Sequence, residues 1–224
     1  MRKTLTVVLY LCFIISNLLA QTRGSNALNR YSNQDHDSFR HYLASKIAFD
    51  PLLFSNPGIL LSGLVLDSNG NIENVFCLNS IHPKVDNQVL DIIEGSAGSW
   101  KSTSNSEKKD IIIVPINFYL KGVEHKLDTN DFKLPISEEL MVTAIMGGEP
   151  ADVMSYTSTK KLEKKCEKFI EKSKYNEASE ILIELTKREP LNKDYYEALF
   201  DCQKALGNVE AATQIKTFIS SYFQ

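Results

Sequence analysis

Four histidines and four cysteines are the side chains best suited to metal or nucleophilic chemistry. His36, His41, His82 and His125 form no HExxH, and none pairs with a cysteine at ligand spacing. His36 stands between Asp35 and Asp37, but in a polar stretch that reads as a solvated loop. Gly95-Ser96-Ala97-Gly98-Ser99 approximates a nucleophile elbow, yet the Gly-x-Ser-x-Gly order fails. A helix end followed by a loop accounts for it better. Asp67 and Asp86 read as turn and helix-start residues rather than as paired acids. No Gly-rich phosphate loop precedes a helix. Lys160, Lys161, Lys164, Lys165 and Lys168 alternate with Glu163, Glu167 and Glu171, the pattern of a solvated helix face. No catalytic residue, metal ligand or cofactor site emerges, so the chain reads as non-enzymatic.

The 224 residues are 43% hydrophobic and 24% charged, ordinary values for a globular protein. They exclude collagen, a coiled-coil rod and a multi-span membrane protein. A formal net charge of -3 argues against a nucleic-acid binder, which needs concentrated Lys and Arg. The cysteines are too few and too scattered for a disulfide scaffold. Met1-Arg2-Lys3, an apolar run over Leu5–Ile15 and small Ala20 before Gln21 make a signal-peptide pattern over residues 1–20. Cleavage after Ala20 would carry the chain to the periplasm and remove Cys12. The remaining Cys77, Cys166 and Cys202 cannot all pair within the chain and read as small buried hydrophobes. An uncleaved leader is the alternative, and would hold the chain at the inner membrane on its periplasmic side.

These side chains must be placed by local elements. Residues 21–37 are polar and read as a flexible lead-in. Asp37 or Ser38 caps a short helix to about Ile47, with Phe39, Tyr42, Leu43 and Ile47 on one face. Ile59–Leu66 and Asn71–Asn79 form a hairpin about Asp67-Ser68-Asn69-Gly70. Val85, Val89, Ile92 and Ile93 mark an amphipathic helix over Val85–Gly95. Trp100 and a polar loop precede Ile111–Leu120, the strongest strand. Pro115 lacks an N–H, which predicts a sheet edge or at least one unpaired side for this strand. Residues 121–158 read as a connector, with one helix between Pro135-Ile136-Ser137-Glu138-Glu139 and Gly147-Gly148-Glu149-Pro150.

From Thr159 onward the chain is helical in composition and repeats itself. Ser173-x-Tyr175-x-x-Ala178 aligns with Gly207-x-Val209-x-x-Ala212, and Leu185 with Ile219, all at an offset of 34 residues. Residues 159–224 therefore resemble two degenerate tetratricopeptide units. Lys165, Cys166 and Phe200 depart from that pattern. Two such units rarely stand alone, so they are expected to lean on the middle domain or on a partner.

The middle of the chain carries a second resemblance. Phe39-x-x-Tyr42-Leu43, the run Gly58–Asp67, Gly70-Asn71-Ile72, Val85-Asp86, Trp100 and Val114-Pro115-Ile116-Asn117-Phe118 follow one another over residues 38–120. In that order they resemble the C-terminal domain of TonB-type energy transducers, except that Lys101 replaces the proline that often follows the Trp. The resemblance implies an α+β fold, a small antiparallel sheet with packed helices, followed here by the helical-hairpin pair. It also implies binding by strand addition along the last strand. Carried over by position, the peptide-binding edge is Ile111, Ile113, Val114, Pro115, Ile116, Asn117, Phe118 and Tyr119. Ile112, Val114, Ile116 and Phe118 face the helix as core. The opposing possibility is a core strand whose edge is blocked by residues 121–158.

The expected partner is a protein or peptide, such as a TonB-dependent outer-membrane receptor or a component of its transport system. Nucleic acid is not expected, and a membrane only if the leader is kept. Two alternatives stay open: a tetratricopeptide-type periplasmic scaffold, and a membrane-anchored transducer with a short linker. Residues 21–37 extend to at most roughly 60 Å, too little to carry force across a periplasm. An open edge would also permit a homodimer through edge strands.

Overall fold

Gly58-Ile-Leu-Leu-Ser-Gly-Leu-Val-Leu66 lacks the polar alternation of a half-exposed strand, and such a run needs cover on both faces. A computed structural model of the chain describes residues 30–36, 38–47, 57–102, 109–119, 125–134, 136, 141–145 and 157–224. The elements in chain order are α1 (Phe39–Lys46), β1 (Gly58–Leu66), β2 (Ile72–Cys77), α2 (Pro83–Glu94), β3 (Asp110–Tyr119), β4 (Val142–Ile145), α3 (Thr159–Glu171), α4 (Tyr175–Arg188), α5 (Lys193–Ala205) and α6 (Val209–Tyr222). The fold is α+β. Its sheet is mixed rather than antiparallel throughout: the order is β2-β1-β3-β4, with β4 parallel to β3.

Local chemistry sets the element ends. Ser38 caps α1 by accepting from the His41 N–H at 3.2 Å. Pro83 opens α2, where its missing N–H costs nothing. The hairpin turn is closed by Asp67, whose carboxylate accepts from the Asn71 N–H at 2.7 Å and from its side-chain amide at 2.8 Å. Gly70 has φ +90°, and a Cβ there would strike the Trp100 carbonyl. Turn and tryptophan are therefore pressed together.

Every residue of β1 is buried. Leu60, Leu64, Leu66, Ile112, Val114, Ile116 and Phe118 face α1, α2 and Trp100. Ile59, Leu61, Val65, Ile111 and Ile113 face the other way, onto Tyr196, Phe218, Tyr222 and Phe223 of the C-terminal helices and Phe132 and Leu134 of the connector. Gly58 lies so close to α4 that a Cβ would meet the Lys187 carbonyl at 2.7 Å. The C-terminal helices thus lean on the sheet.

Those helices repeat in geometry. The bounds of α3 and α4 shifted by 34 residues give those of α5 and α6. Both hairpins turn through a left-handed residue, Ser173 at φ 55° and Gly207 at φ 73°. Both turns close with a Schellman bond: Lys174 N–H to Phe169 O at 2.8 Å and Asn208 N–H to Gln203 O at 2.9 Å. Ala178 and Ala212, at matching positions of the two hairpins, are both buried.

Two expectations are corrected here. The lead-in is not unpacked through residues 30–36. Tyr31 forms a backbone bridge with Trp100, and its ring packs edge-on against Trp100 and tilted against Phe39 and Tyr42. Arg30 donates to the Asp110 carboxylate at 2.7 Å, to the Lys101 carbonyl at 2.7 Å and to the Asp67 carbonyl at 2.8 Å. One guanidinium thus ties the lead-in to the hairpin turn, to the loop after Trp100 and to the start of β3. The helix expected within the connector is also corrected at residues 142–145, which form β4. Residues 137–140 and 146–156 lie outside the described residues, as do the leader and residues 21–29. Among the described residues no helix is long and apolar enough to cross a membrane.

Arg30 and Asp110 are both buried, so removing one partner strands a charge. Arg30→Ala is expected to destabilise the fold by about 3–5 kcal/mol, read as a lower urea midpoint by Trp100 emission. Arg30→Met with Asp110→Leu is expected to recover most of that loss. A single-variant loss within about 1 kcal/mol, the range of exposed pairs, would contradict the clamp.

Candidate functional site

β3 supplies the candidate site, and its two sides differ. Leu61 gives its N–H to Asn79 Oδ1 at 2.7 Å, and its carbonyl accepts from the Leu78 N–H at 2.7 Å. The Leu61 main chain therefore faces β2. Its register partner on β3 is Pro115, so the Pro115 main chain faces away from β1. The missing N–H falls on the side of β3 away from β1, but the expected sheet-edge placement is corrected, because β4 follows β3 in the sheet.

That outer side is not open along its length. β4 pairs there in register, Ile116 with Val142, Asn117 with Thr143, Phe118 with Ala144 and Tyr119 with Ile145. A parallel bridge joins Ile113 to Ile136. Val114 and Pro115 lie between the Ile113–Ile136 bridge and the β4 ladder, which begins at Ile116. Residues of the connector block part of the edge, the possibility set against peptide capture above.

The eight edge residues divide by face. Val114, Ile116 and Phe118 point into the core beneath α1 and α2. Ile111 and Ile113 point toward the C-terminal helices. Pro115 is buried, and Asn117 and Tyr119 are half-buried. None of the eight is exposed, so what this strand can offer a ligand is its main chain.

His125 meets the end of β3, a contact that nothing in the sequence pattern signalled. Its Nδ1 lies 2.7 Å from Asn117 Oδ1. An amide oxygen only accepts, so Nδ1 carries the proton and Nε2 is left as acceptor. Nε2 is buried and has no hydrogen-bond partner among the described residues. The Tyr119 ring meets the imidazole edge-on at 6.3 Å. Burial, and secondly the nearby Arg188 charge, push the His125 pKa down to about 4. Arg188 is itself held by Glu184 Oε1 at 2.9 Å and the Thr157 carbonyl at 2.7 Å.

The remaining chemical candidates have structural partners. Ser96 donates to the Ile93 carbonyl at 2.6 Å and accepts from Trp100 Nε1 at 3.0 Å. Asp86 reaches back over the start of α2 to Ser80 Oγ and to the Ile81 N–H at 3.1 Å. Burial raises its pKa against the lowering effect of those bonds. His36 packs edge-on against Tyr42 at 5.6 Å. Cys77, Cys166 and Cys202 are free thiols, and burial raises each pKa. Lys160, Lys161, Lys164, Lys165 and Lys168 line an exposed face of α3. Among the described residues no group of His, Cys, Asp or Glu could hold a metal ion. Compared with protein-family models, with curated proteins and with solved structures, the chain has no match.

A buried imidazole held neutral has a defined pH signature. The unfolded chain protonates His125 near pH 6.5, the folded chain only near 4. Between those values the unfolded state binds more protons, so stability falls as pH drops through the window. Urea unfolding from pH 7 to pH 4.5 is expected to show this decline, and His125→Gln to make it shallower. Equal pH slopes for the two proteins would contradict the assignment.

Proposed function

We propose that this chain is a periplasmic protein-binding module resembling the TonB C-terminal domain, which takes an extended peptide by strand addition on the outer side of β3. Its client is the extended segment of a TonB-dependent outer-membrane receptor, or of a transport partner. One observation carries the reading. The outer side of β3 already accepts a short parallel strand, β4, through main-chain pairing at Ile116–Tyr119. A peptide ligand would use the same chemistry, and the flanking side chains would select among peptides. The succession of α1, hairpin, α2, Trp100 and β3, with β1 between β2 and β3, is compatible with the family pattern.

A second reading, the tetratricopeptide-type scaffold, is favoured by a groove where the helical hairpins meet the end of β2. It holds about 200 Å³ and is lined by Leu78, Ile183, Leu199, Ile215 and Phe218 with Gln214. Ile183 is 45% exposed there, an apolar side chain without full cover.

Two measurements separate the readings. Titration of the isotopically labelled full chain with receptor box peptides is expected to shift the Asn117 and Tyr119 amides. Shifts absent there would sink the strand-addition reading. Ile183→Glu leaves the sheet untouched and is expected to keep peptide binding. If it abolishes binding while the fold is retained, the groove is the site.

A further inference from the structure

We infer that β4 is the internal occupant that a peptide ligand must replace, and that it records the ligand's direction and pattern. The inference rests on the strand-addition reading and deepens it. The ligand runs parallel to β3, with a β-branched apolar residue where Val142 lies and a polar residue where Thr143 lies.

Three observations lead there. Among the described residues β4 spans Val142–Ile145, and it pairs on the outer side of the proposed docking strand. Pro115 removes one donor from that side and Ile113 is already bridged to Ile136, so the N–H groups that β3 turns toward β4 are those of Asn117 and Tyr119. A ligand strand therefore gains little by extending toward Ile111, and a short segment takes nearly all the main-chain bonding available. The side chains of β4 differ in burial: Val142 is 5% exposed and joins the core beneath α1, whereas Thr143 is exposed. One apolar anchor followed by a polar residue is a recognition pattern a peptide can copy.

Tethering makes this occupant a strong competitor. An internal strand acts at an effective concentration in the millimolar range for short linkers. A peptide of equal intrinsic affinity is thus masked until β4 leaves. Loosening β4 should uncover binding without altering β3.

The test uses the full chain and an acetylated peptide of sequence MVTAIM, residues 141–146. Two variants loosen β4 by different means. Ala144→Pro removes a main-chain donor, and Val142→Ala trims the anchor. Both are expected to bind MVTAIM at least tenfold more tightly than the unaltered chain, with hydrogen-exchange protection returning at Asn117 and Tyr119. Equal affinity in all three proteins, or protection on β2 instead, overturns the inference. Receptor box peptides are titrated in parallel. Rescue by MVTAIM with no box peptide binding supports strand exchange and removes the proposed client. Box peptides that bind all three proteins equally keep the client and overturn the role of β4.

Discussion

β1 has no solvent side, and the rest of the molecule follows from that. Its apolar residues alternate between two cores. Each buried aliphatic side chain contributes about 1.5–3 kcal/mol. Stripping the C-terminal helices would bare Ile59, Leu61, Val65, Phe76, Ile111 and Ile113, a loss of about 9–18 kcal/mol at that rate. A typical domain has only about 5–15 kcal/mol of net stability. The sheet and the helical pair therefore hold each other in the folded state. The close approach at Gly58 and the aromatic cluster of Tyr196, Phe218, Tyr222 and Phe223 are the contacts that join them.

This mutual cover changes what the two halves can do. A pair of helical hairpins lacks neighbours to bury its ends, and here the sheet takes that place. The sheet in turn gives up one face that could have bound a partner. Binding is left to main-chain edges and to the seam between the layers. The outer side of β3 and the groove beside Ile183 are two such places.

Local chemistry was legible in the sequence, and long-range chemistry was not. Asp67-Ser68-Asn69-Gly70 announced a turn because its bonds stay within five residues. Val85, Val89, Ile92 and Ile93 announced α2, and the offset of 34 announced the paired hairpins with matching bounds. Arg30 gave no signal, because its partners Asp67, Lys101 and Asp110 lie 37 to 80 residues away. His125 was equally silent, a lone histidine in a loop. β4 read as helix because helix start and stop signals bracket it, but the vacant side of β3 decides for a strand over Val142-Thr143-Ala144-Ile145. Pro115 was legible in the side it leaves without a donor, but not in how far that gap extends. The unbroken run Gly58–Leu66 held the cue for two covered faces.

The claim that sheet and helical pair are one unit can be tested with a single titration. Trp100 is the one tryptophan and is buried on the α1–α2 side of the sheet. Most helical residues of the described chain lie instead in α3–α6. Urea unfolding followed at once by Trp100 emission and by far-ultraviolet helical ellipticity reports both layers. Coincident curves with one midpoint are expected. Helical signal that survives after Trp100 is exposed, with a separate midpoint, would contradict it.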